Sequence, residues 1–305
     1  MNPTELSRSI KARALELGFD LVGIAPAVTP PHAHAFDAWE AKGYAGSLDY
    51  LVRRREELLD PRMLLSGVRC VVSCAVSYRP DPDRWPLVGK HPVSCYAWGW
   101  DYHWVLKDKL RKLALYIEEA VPGSRTRCFT DSGPLFEKPF AQLAGLGFIG
   151  KHTLLVNPDL GSFLFLGEVA TDAELPFDER SAMDGCGDCR RCMDACPTGA
   201  LTEPRVLDAR RCVSYRTQRE DIPPLEEKPL NGMLWGCDLC QAACPYNEKA
   251  PPGREEALHP HPEILGLTRE KILSMQEADL KTLFKNTALG DAPSGILKRN
   301  AGSTV

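Results

Sequence analysis

The sequence has no run of about 18 apolar residues, the length a membrane-spanning helix needs. Its opening stretch carries Glu5, Arg8, Lys11, Arg13 and Glu16 where a secretory leader would be apolar. A spanning or exported protein is therefore not expected, no membrane partner is expected, and a cytoplasmic location is. Charge of one sign is also missing: 37 Lys and Arg stand against 41 Asp and Glu, a net charge of -4. That balance excludes the broad basic field of a general nucleic-acid binder and leaves only local patches to consider. Disorder is excluded by ordinary proportions, 44% hydrophobic and 26% charged residues. The 305 residues are enough for two units, one of them small.

What the sequence does have is 12 cysteines. Cys70, Cys74, Cys95 and Cys128 are scattered, whereas eight fall between positions 186 and 244. In a reducing compartment such clustering reads as metal ligation rather than disulfides. Cys186-x2-Cys189-x2-Cys192-x3-Cys196-Pro197 has the spacing of the bacterial ferredoxin run. Cys212 and then Cys237-x2-Cys240-x3-Cys244-Pro245 repeat its ending. In two-cluster ferredoxins the fourth cysteine of a run ligates the partner cluster. The expected sets are thus Cys186, Cys189, Cys192 and Cys244 for one 4Fe-4S cluster, and Cys196, Cys212, Cys237 and Cys240 for the other. Zinc is the competing reading, because two-residue spacings also suit it, but interleaved runs ending in x3-Cys-Pro are not zinc-ribbon spacing. About eight irons per chain are expected.

Periodicity supplies the remainder of the architecture. Asn2, Pro3 and Glu5 read as the cap of a helix whose face is Leu6, Ile10, Ala14 and Leu17, stopped by Gly18. Residues 20–25 read as a short strand, 70–78 as a buried central strand and 93–98 as another strand. Leu106, Leu110, Leu113 and Ile117 mark an amphipathic helix capped by Asp101. Residues 125–172 alternate strand-like and helix-like pieces around many glycines. The fold class expected is α+β or α/β. A mixed-sheet α/β domain over 1–175 precedes a ferredoxin-like module over 176–250 and a short helical extension over 251–305. A pair of clusters only conducts electrons, and so large a first domain is more than a carrier requires.

The strings YAWGWDYHWVLKDKL (96–110), TDSGPLFEKPFAQLAGLGFIGKHTLLVNPDLGSFLFLGEV (130–169), GCGDCRRCMDACPTGAL (185–201), RRCVSYRTQ (210–218) and GCDLCQAACPYN (236–247) closely resemble the epoxyqueuosine reductases. The resemblance runs over about residues 5–250. It implies a cobalamin bound between the first domain and the cluster module, fed by the clusters. It also implies a reaction, the two-electron, two-proton removal of the epoxide oxygen of epoxyqueuosine at the wobble position of tRNA, which is the final step of queuosine formation. By the same resemblance Asp131 is the acid. A carboxyl covered by corrin and substrate would lose solvation and stay protonated near neutral pH. Read alone, Asp131 would instead cap a helix near Pro134. Cys95, Gly150, Lys151, His152, Ser162, Ser214 and Asp238 are implied cobalamin neighbours together with Asp131, and Asp101 and His103 implied substrate contacts. Read alone they are a buried thiol, turn residues, cluster-flanking polar residues, an N-cap and a first-turn histidine.

Three features stand apart from the family pattern or bear on it. Leu58 occupies a place where relatives often carry an arginine, with Arg53, Arg54 and Arg55 nearby. The tail is short, so a weaker hold on RNA is expected. No Asp-x-His-x-x-Gly cobalamin motif occurs, so no protein histidine is expected on cobalt, in agreement with the resemblance. From Arg205 to Arg219 five arginines face the single acid Asp208, a local patch for tRNA phosphates. Trp98, Trp100, Tyr102 and Trp104 offer rings for a splayed-out base. An external low-potential electron donor and a monomeric state complete the expectation. The alternatives left open are a reductive dehalogenase acting on small molecules and a non-catalytic electron carrier.

Overall fold

The computed structural model describes residues 2–131, 133–181, 184–220, 230–290 and 292–302, so Ser132 of the Thr130–Pro134 string lies outside the described part. Helix α1 (Pro3–Glu16) begins as its sequence dictates. Asn2 Oδ1 accepts from Glu5 N at 2.9 Å, and Glu5 Oε2 accepts from Asn2 N at 3.0 Å, a reciprocal capping box. Leu6, Ile10 and Ala14 are buried on one face, and Gly18, at φ +85°, ends the helix where a residue with a Cβ would be strained. Burying an isoleucine as completely as Ile10 is worth about 1.5–3 kcal/mol, which is what holds so short a helix in place.

The sheet has four strands, β1 (Leu21–Pro26), β2 (Cys70–Ser77), β3 (Thr126–Phe129) and β4 (Leu164–Thr171), in the order β1-β2-β4-β3. All three pairings among them are antiparallel. The mixed sheet expected from the sequence is thus corrected. Helices cover both faces, so every residue of β2 is buried and the strand reads as apolar as a parallel one would. Cys70, Val72, Cys74 and Val76 point to α1 and to helix α2 (Tyr102–Ala120). Val71 and Ala75 point the other way, to helix α3 (Glu137–Leu143). Ser73 shares that second face and is the register partner of Glu168 on β4. Burial lifts the Cys70 thiol to about 12 and the Cys128 thiol to about 11, so both are unreactive packing groups.

Residues 93–98 are not a strand. Cys95–Ala97 form a 3-10 turn, and the only pairing there is an isolated bridge between Val93 and Trp235. The apolar content that suggests a strand serves instead to bury Val93, Cys95, Ala97 and Trp98 in a second core. That core is completed by Leu234 and Trp235 and by Ile264, Leu280, Phe284, Ile296 and Leu297 of the tail helices. The cysteine-rich part consists of short helices, Arg191–Asp194, Val213–Thr217, Leu239–Ala242 and Pro245–Lys249, and the hairpin of Leu201–Glu203 with Val206–Leu207. No helix among the described residues is long and apolar enough to cross a membrane.

Candidate functional site

The eight clustered thiols lie within one another's electrostatic reach. Burial and the repulsion of Cys186, Cys244 and Cys189 raise the Cys192 thiol to about 11. Burial, Asp238 and the neighbouring Cys212 and Cys196 raise Cys237 to about 12, and Cys240 is raised well above its usual value with Cys237 and Cys212 beside it. Cys192 thus lies near Cys186, Cys189 and Cys244, and Cys237 near Cys196 and Cys212, while Cys240 also feels Cys192. Among the described residues no three His, Cys, Asp or Glu side chains are grouped so as to hold one metal ion. A cubane cluster spreads its four thiolates over separate irons and does not need that convergence. Backbone amides already point at sulfur: Lys151 N lies 3.4 Å from Cys186 Sγ, and Ala200 N lies 3.2 Å from Cys196 Sγ.

Three of the expected cofactor neighbours bind the first domain to the cysteine module. Ser162 is buried, donates from Oγ to Gln241 Oε1 at 3.0 Å, and donates from its backbone to Asn247 Oδ1 at 2.6 Å. The neighbouring Gly161 has φ +72°, and a Cβ there would fall 2.1 Å from Asn247 Oδ1, so only glycine fits this seam. Lys151 Nζ donates to Gly187 O at 2.5 Å, placing it on the Cys186 loop. Asp238, between two cluster cysteines, accepts from Cys95 N at 2.8 Å and from the Ser94 hydroxyl, and burial raises its carboxyl. Cys95 is buried and lines a cavity of about 160 Å³ with Tyr78, Arg79 and Trp98. Ser214, half-buried, accepts at Oγ from Gln218 Nε2 at 3.0 Å.

His152 is different. Its Nδ1 accepts from Leu154 N at 3.2 Å, which leaves the hydrogen on Nε2, and that buried atom has no partner in the protein. Burial and the charge of Lys138 push the ring down to about 4, so it is neutral. Gly150 lies against it, and a Cβ there would come within 3.0 Å of His152 Cε1. A neutral N–H donor left unmet at the edge of the site is a fitting partner for an amide carbonyl of a large cofactor such as cobalamin.

The other half of the site is a proton-holding corner. Asp101 does cap α2, accepting from His103 N at 2.9 Å, and the same Oδ1 lies 2.7 Å from His103 Nδ1. His103 Nε2 lies 3.1 Å from Asp131 Oδ2, and Tyr102 Oη donates to that oxygen at 2.8 Å. Burial by itself would lower the His103 pKa, but the two carboxylates outweigh it and raise the ring to about 9. Asp131 is held below the usual carboxylate range. Desolvation opposes this, but the hydrogen bonds from His103 and Tyr102 prevail. Its side chain is 60% exposed. Uncovered, Asp131 is therefore the charged partner and His103 the protonated one.

Asp131 has φ +50°, a strained conformation for a residue with a Cβ. It is held there by its backbone N–H, which donates to Glu137 Oε1 at 2.5 Å. Behind Glu137 stands Glu168, fully buried on β4 and accepting from Ser73 Oγ at 3.2 Å. Burial and the charge of Asp131 raise Glu137 to about 8, and burial and the charge of Glu137 raise Glu168 well above its usual range.

Family models match in two places. One described as a 4Fe-4S double cluster binding domain covers residues 185–247, and one described as "Epoxyqueuosine reductase QueG, DUF1730" covers residues 59–132. The epoxyqueuosine reductase of Escherichia coli (strain K12) is 40% identical over 287 residues, spanning 90% of this chain and 76% of the relative. That of Cellulophaga algicola is 35% identical over 294 residues, 95% of each chain. The chain belongs to the epoxyqueuosine reductase family. A crystal structure of epoxyqueuosine reductase with a tRNA-Tyr epoxyqueuosine-modified tRNA stem loop superposes with a TM-score of 0.88 at 28% identity, covering 98% of this chain and 80% of that one. Membership in a reductase family with a double-cluster domain decides against the dehalogenase and the simple carrier.

Sequence reasoning missed Glu137, Glu168 and Asn247 as parts of this site, and read Tyr102 as a ring for a base rather than as a partner of Asp131. Glu168 had a signal, a single acid inside the apolar strand LFLGEVAT. The arginine patch is smaller than its count. Arg205 pairs with Asp184, Arg210 with Asp208, and Arg216 is buried. Leu58 is buried, while Arg54 and Arg55 pair with Glu57 and Asp37.

Proposed function

We propose that this epoxyqueuosine reductase performs its reaction at the Asp131 corner, with His103 and Asp131 acting as one proton-delivering pair. The observation that carries the proposal is the Asp101–His103–Asp131 chain of hydrogen bonds, at 2.7 and 3.1 Å, ending on an exposed carboxylate. Removing the epoxide oxygen as water consumes two electrons and two protons. Cobalamin, when bound, supplies with the two 4Fe-4S clusters the electrons that break the carbon–oxygen bonds. Everything else falls to side chains. His103 holds a proton on Nε2 at neutral pH, and Asp131 Oδ2 passes it to the developing oxyanion. The Tyr102 hydroxyl, bonded to the same oxygen, is placed to relay the second. Asp101 fixes the ring orientation of His103 and keeps its charge. Glu137 holds the Asp131 backbone in its strained, forward position.

In this reading residues 1–175 and the cluster module of 176–250 would hold cobalamin between them. His152 Nε2 and Gly150 are at its edge, with Cys95 and Asp238 linking it to the second quartet. Ser162, Lys151 and Ser214 support the seam, and the described tail helices from Pro262 to Gly302 brace it. The protein works as a monomer in the cytoplasm, on tRNA carrying epoxyqueuosine, with an external low-potential donor reducing the clusters.

Asp131→Asn is the direct test. Nucleosides from epoxyqueuosine-containing tRNA are assayed by mass after turnover by the reduced, cofactor-loaded protein. Conversion should fall at least about 100-fold, the scale of a lost general acid, with iron and cobalt contents unchanged. Conversion at the parent rate would remove Asp131 from the mechanism.

A further inference from the structure

Behind the exposed Asp131 corner lies a pair of carboxyls whose protons the reaction described so far leaves unused. Glu168 is fully buried in the middle of β4, flanked in the sheet by Ser73 of β2 and Phe129 of β3. Its Oε1 accepts from Ser73 Oγ at 3.2 Å, while Oε2, equally buried, meets no donor among the described residues. An ionised carboxylate only accepts hydrogen bonds, so a charge on Glu168 would leave that oxygen bare in the interior, at a cost far above that of a neutral group. The neighbour Glu168 faces is Glu137, itself a carboxyl. Two carboxylates cannot bond to each other, whereas a carboxylic acid donates readily to a second carboxyl, so protonation is the state that satisfies the orphan atom. Burial, with the charge of Asp131 on Glu137 and that of Glu137 on Glu168, acts in the same direction. The other titratable groups facing the pair are Lys138, whose charge opposes the rise of Glu137, the Cys74 thiol beside Glu168, and Tyr102.

The pair is joined to the reacting corner. Glu137 Oε1 accepts from Asp131 N at 2.5 Å. The Tyr102 hydroxyl donates to Asp131 Oδ2 at 2.8 Å and feels the charges of both Asp131 and Glu137. Asp131 is the most open side chain of the corner, 60% exposed against 25% for His103 and 17% for Asp101. A nucleotide and a cofactor lying over it close that opening to water. His103 then brings one proton, and the second has to be inside already. Hydrogen bonding alone does not call for acids at these two positions, because glutamine would accept from Asp131 N and from Ser73 Oγ equally well.

We propose that Glu137 and Glu168 store the second proton of the reaction and deliver it through Tyr102 to Asp131 after the site has been covered. The inference rests on the reading of Asp131 given above. In the loaded pair each carboxyl holds a proton. On delivery the Glu137 O–H bond breaks and a new O–H bond forms at Tyr102, whose own proton moves to Asp131 Oδ2 and on to the leaving oxygen. The pair is left with one negative charge and one proton held between two oxygens, an arrangement far less costly than two buried carboxylates. No electrons move through it, and the missing proton returns from water once the product has left.

The test follows a single turnover of an epoxyqueuosine-containing stem loop by the reduced, cofactor-loaded protein near neutral pH, with infrared absorption recorded alongside nucleoside mass. Isotopically labelled glutamate separates its carboxyl band from that of Asp131. In the wild type a neutral glutamate carboxyl band should be lost in step with conversion and regained on product release. The double variant Glu137→Gln/Glu168→Gln removes the stored protons but keeps the acceptors for Asp131 N and Ser73 Oγ. Its iron and cobalt contents should be unchanged, the band should be missing, and conversion should fall roughly 100-fold, the scale of a lost proton donor. Wild-type conversion with no change in glutamate carboxyl absorption would overturn the inference, whatever the double variant does. So would a double variant that converts at the parent rate. Either result beside an inactive Asp131→Asn protein removes only the proton store, whereas conversion by Asp131→Asn at the parent rate removes the functional reading beneath it.

Discussion

Replacing Asp101 by asparagine removes one charge from the proton-holding corner and little else. Asparagine caps helices as well as aspartate does, so α2 should start where it does now, and its Oδ1 can still accept from His103 Nδ1. What is lost is half of the carboxylate pair that raises His103 from 6.5 to about 9, a shift of roughly 2.5 units. Because the carboxylates also offset burial, equal shares lower the variant's ring by at least about 1.2 units, or about 1.7 kcal/mol, to a pKa of about 8 or below. The sign follows from protonation. His103 is loaded at low pH in both proteins and empties as pH rises through its own pKa. Single-turnover conversion by the fully reduced enzyme should therefore be alike near pH 6.5 and at least roughly ninefold slower in the variant at pH 9. The alkaline limb of the rate profile should move from about 9 towards about 8. A limb that stays in place would refute His103 as the group that carries the proton.

Two further outcomes follow from the core and the seam. Glu168 is raised, so the folded protein retains a proton that the unfolded chain gives up above its ordinary range, and the wild type loses stability as pH climbs from about 4.5. Glu168→Gln escapes that loss, and anaerobic thermal unfolding should show it gaining about 1–3 kcal/mol on the wild type between pH 5 and pH 8; a constant difference would contradict the buried carboxyl pair. Asn247→Ala leaves Ser162 N, Ser162 Oγ and Gln241 O without their present partner. At about 1–3 kcal/mol for each unmet buried group, the variant should unfold well before the wild type and retain less iron through anaerobic gel filtration; full retention would show that the seam does not guard the clusters.

The sequence was most readable where the structure is local. The box at Asn2 and Glu5, the face of α1, the stripe of α2 and the double-cluster domain all depend on short spacings. Strand β2 was legible as buried and central, but not as antiparallel, because burial on both faces erases the alternation that distinguishes the two arrangements. Residues 93–98 misled for a related reason: their aromatic and β-branched side chains answer to a core built with the tail, not to a neighbouring strand. Asp101 caps its helix as the sequence suggests, but that the same carboxylate also charges His103 depends on side-chain geometry that spacing does not convey. Glu137 and Glu168 were out of reach, being 31 positions apart and brought together only when α3 packs on the sheet.

The core shared by Val93–Trp98 and the helices after Pro262 has a consequence for how the protein is made. Trp98 waits for partners as far along the chain as Leu297, 199 residues later. At translation rates of about 5–20 residues per second, that is an interval on the order of ten to forty seconds in which the seat of the second quartet stands open. Only when helix Ser294–Gly302 arrives does Asn300 Nδ2 reach Thr217 O and Leu234 O and close that side of the module.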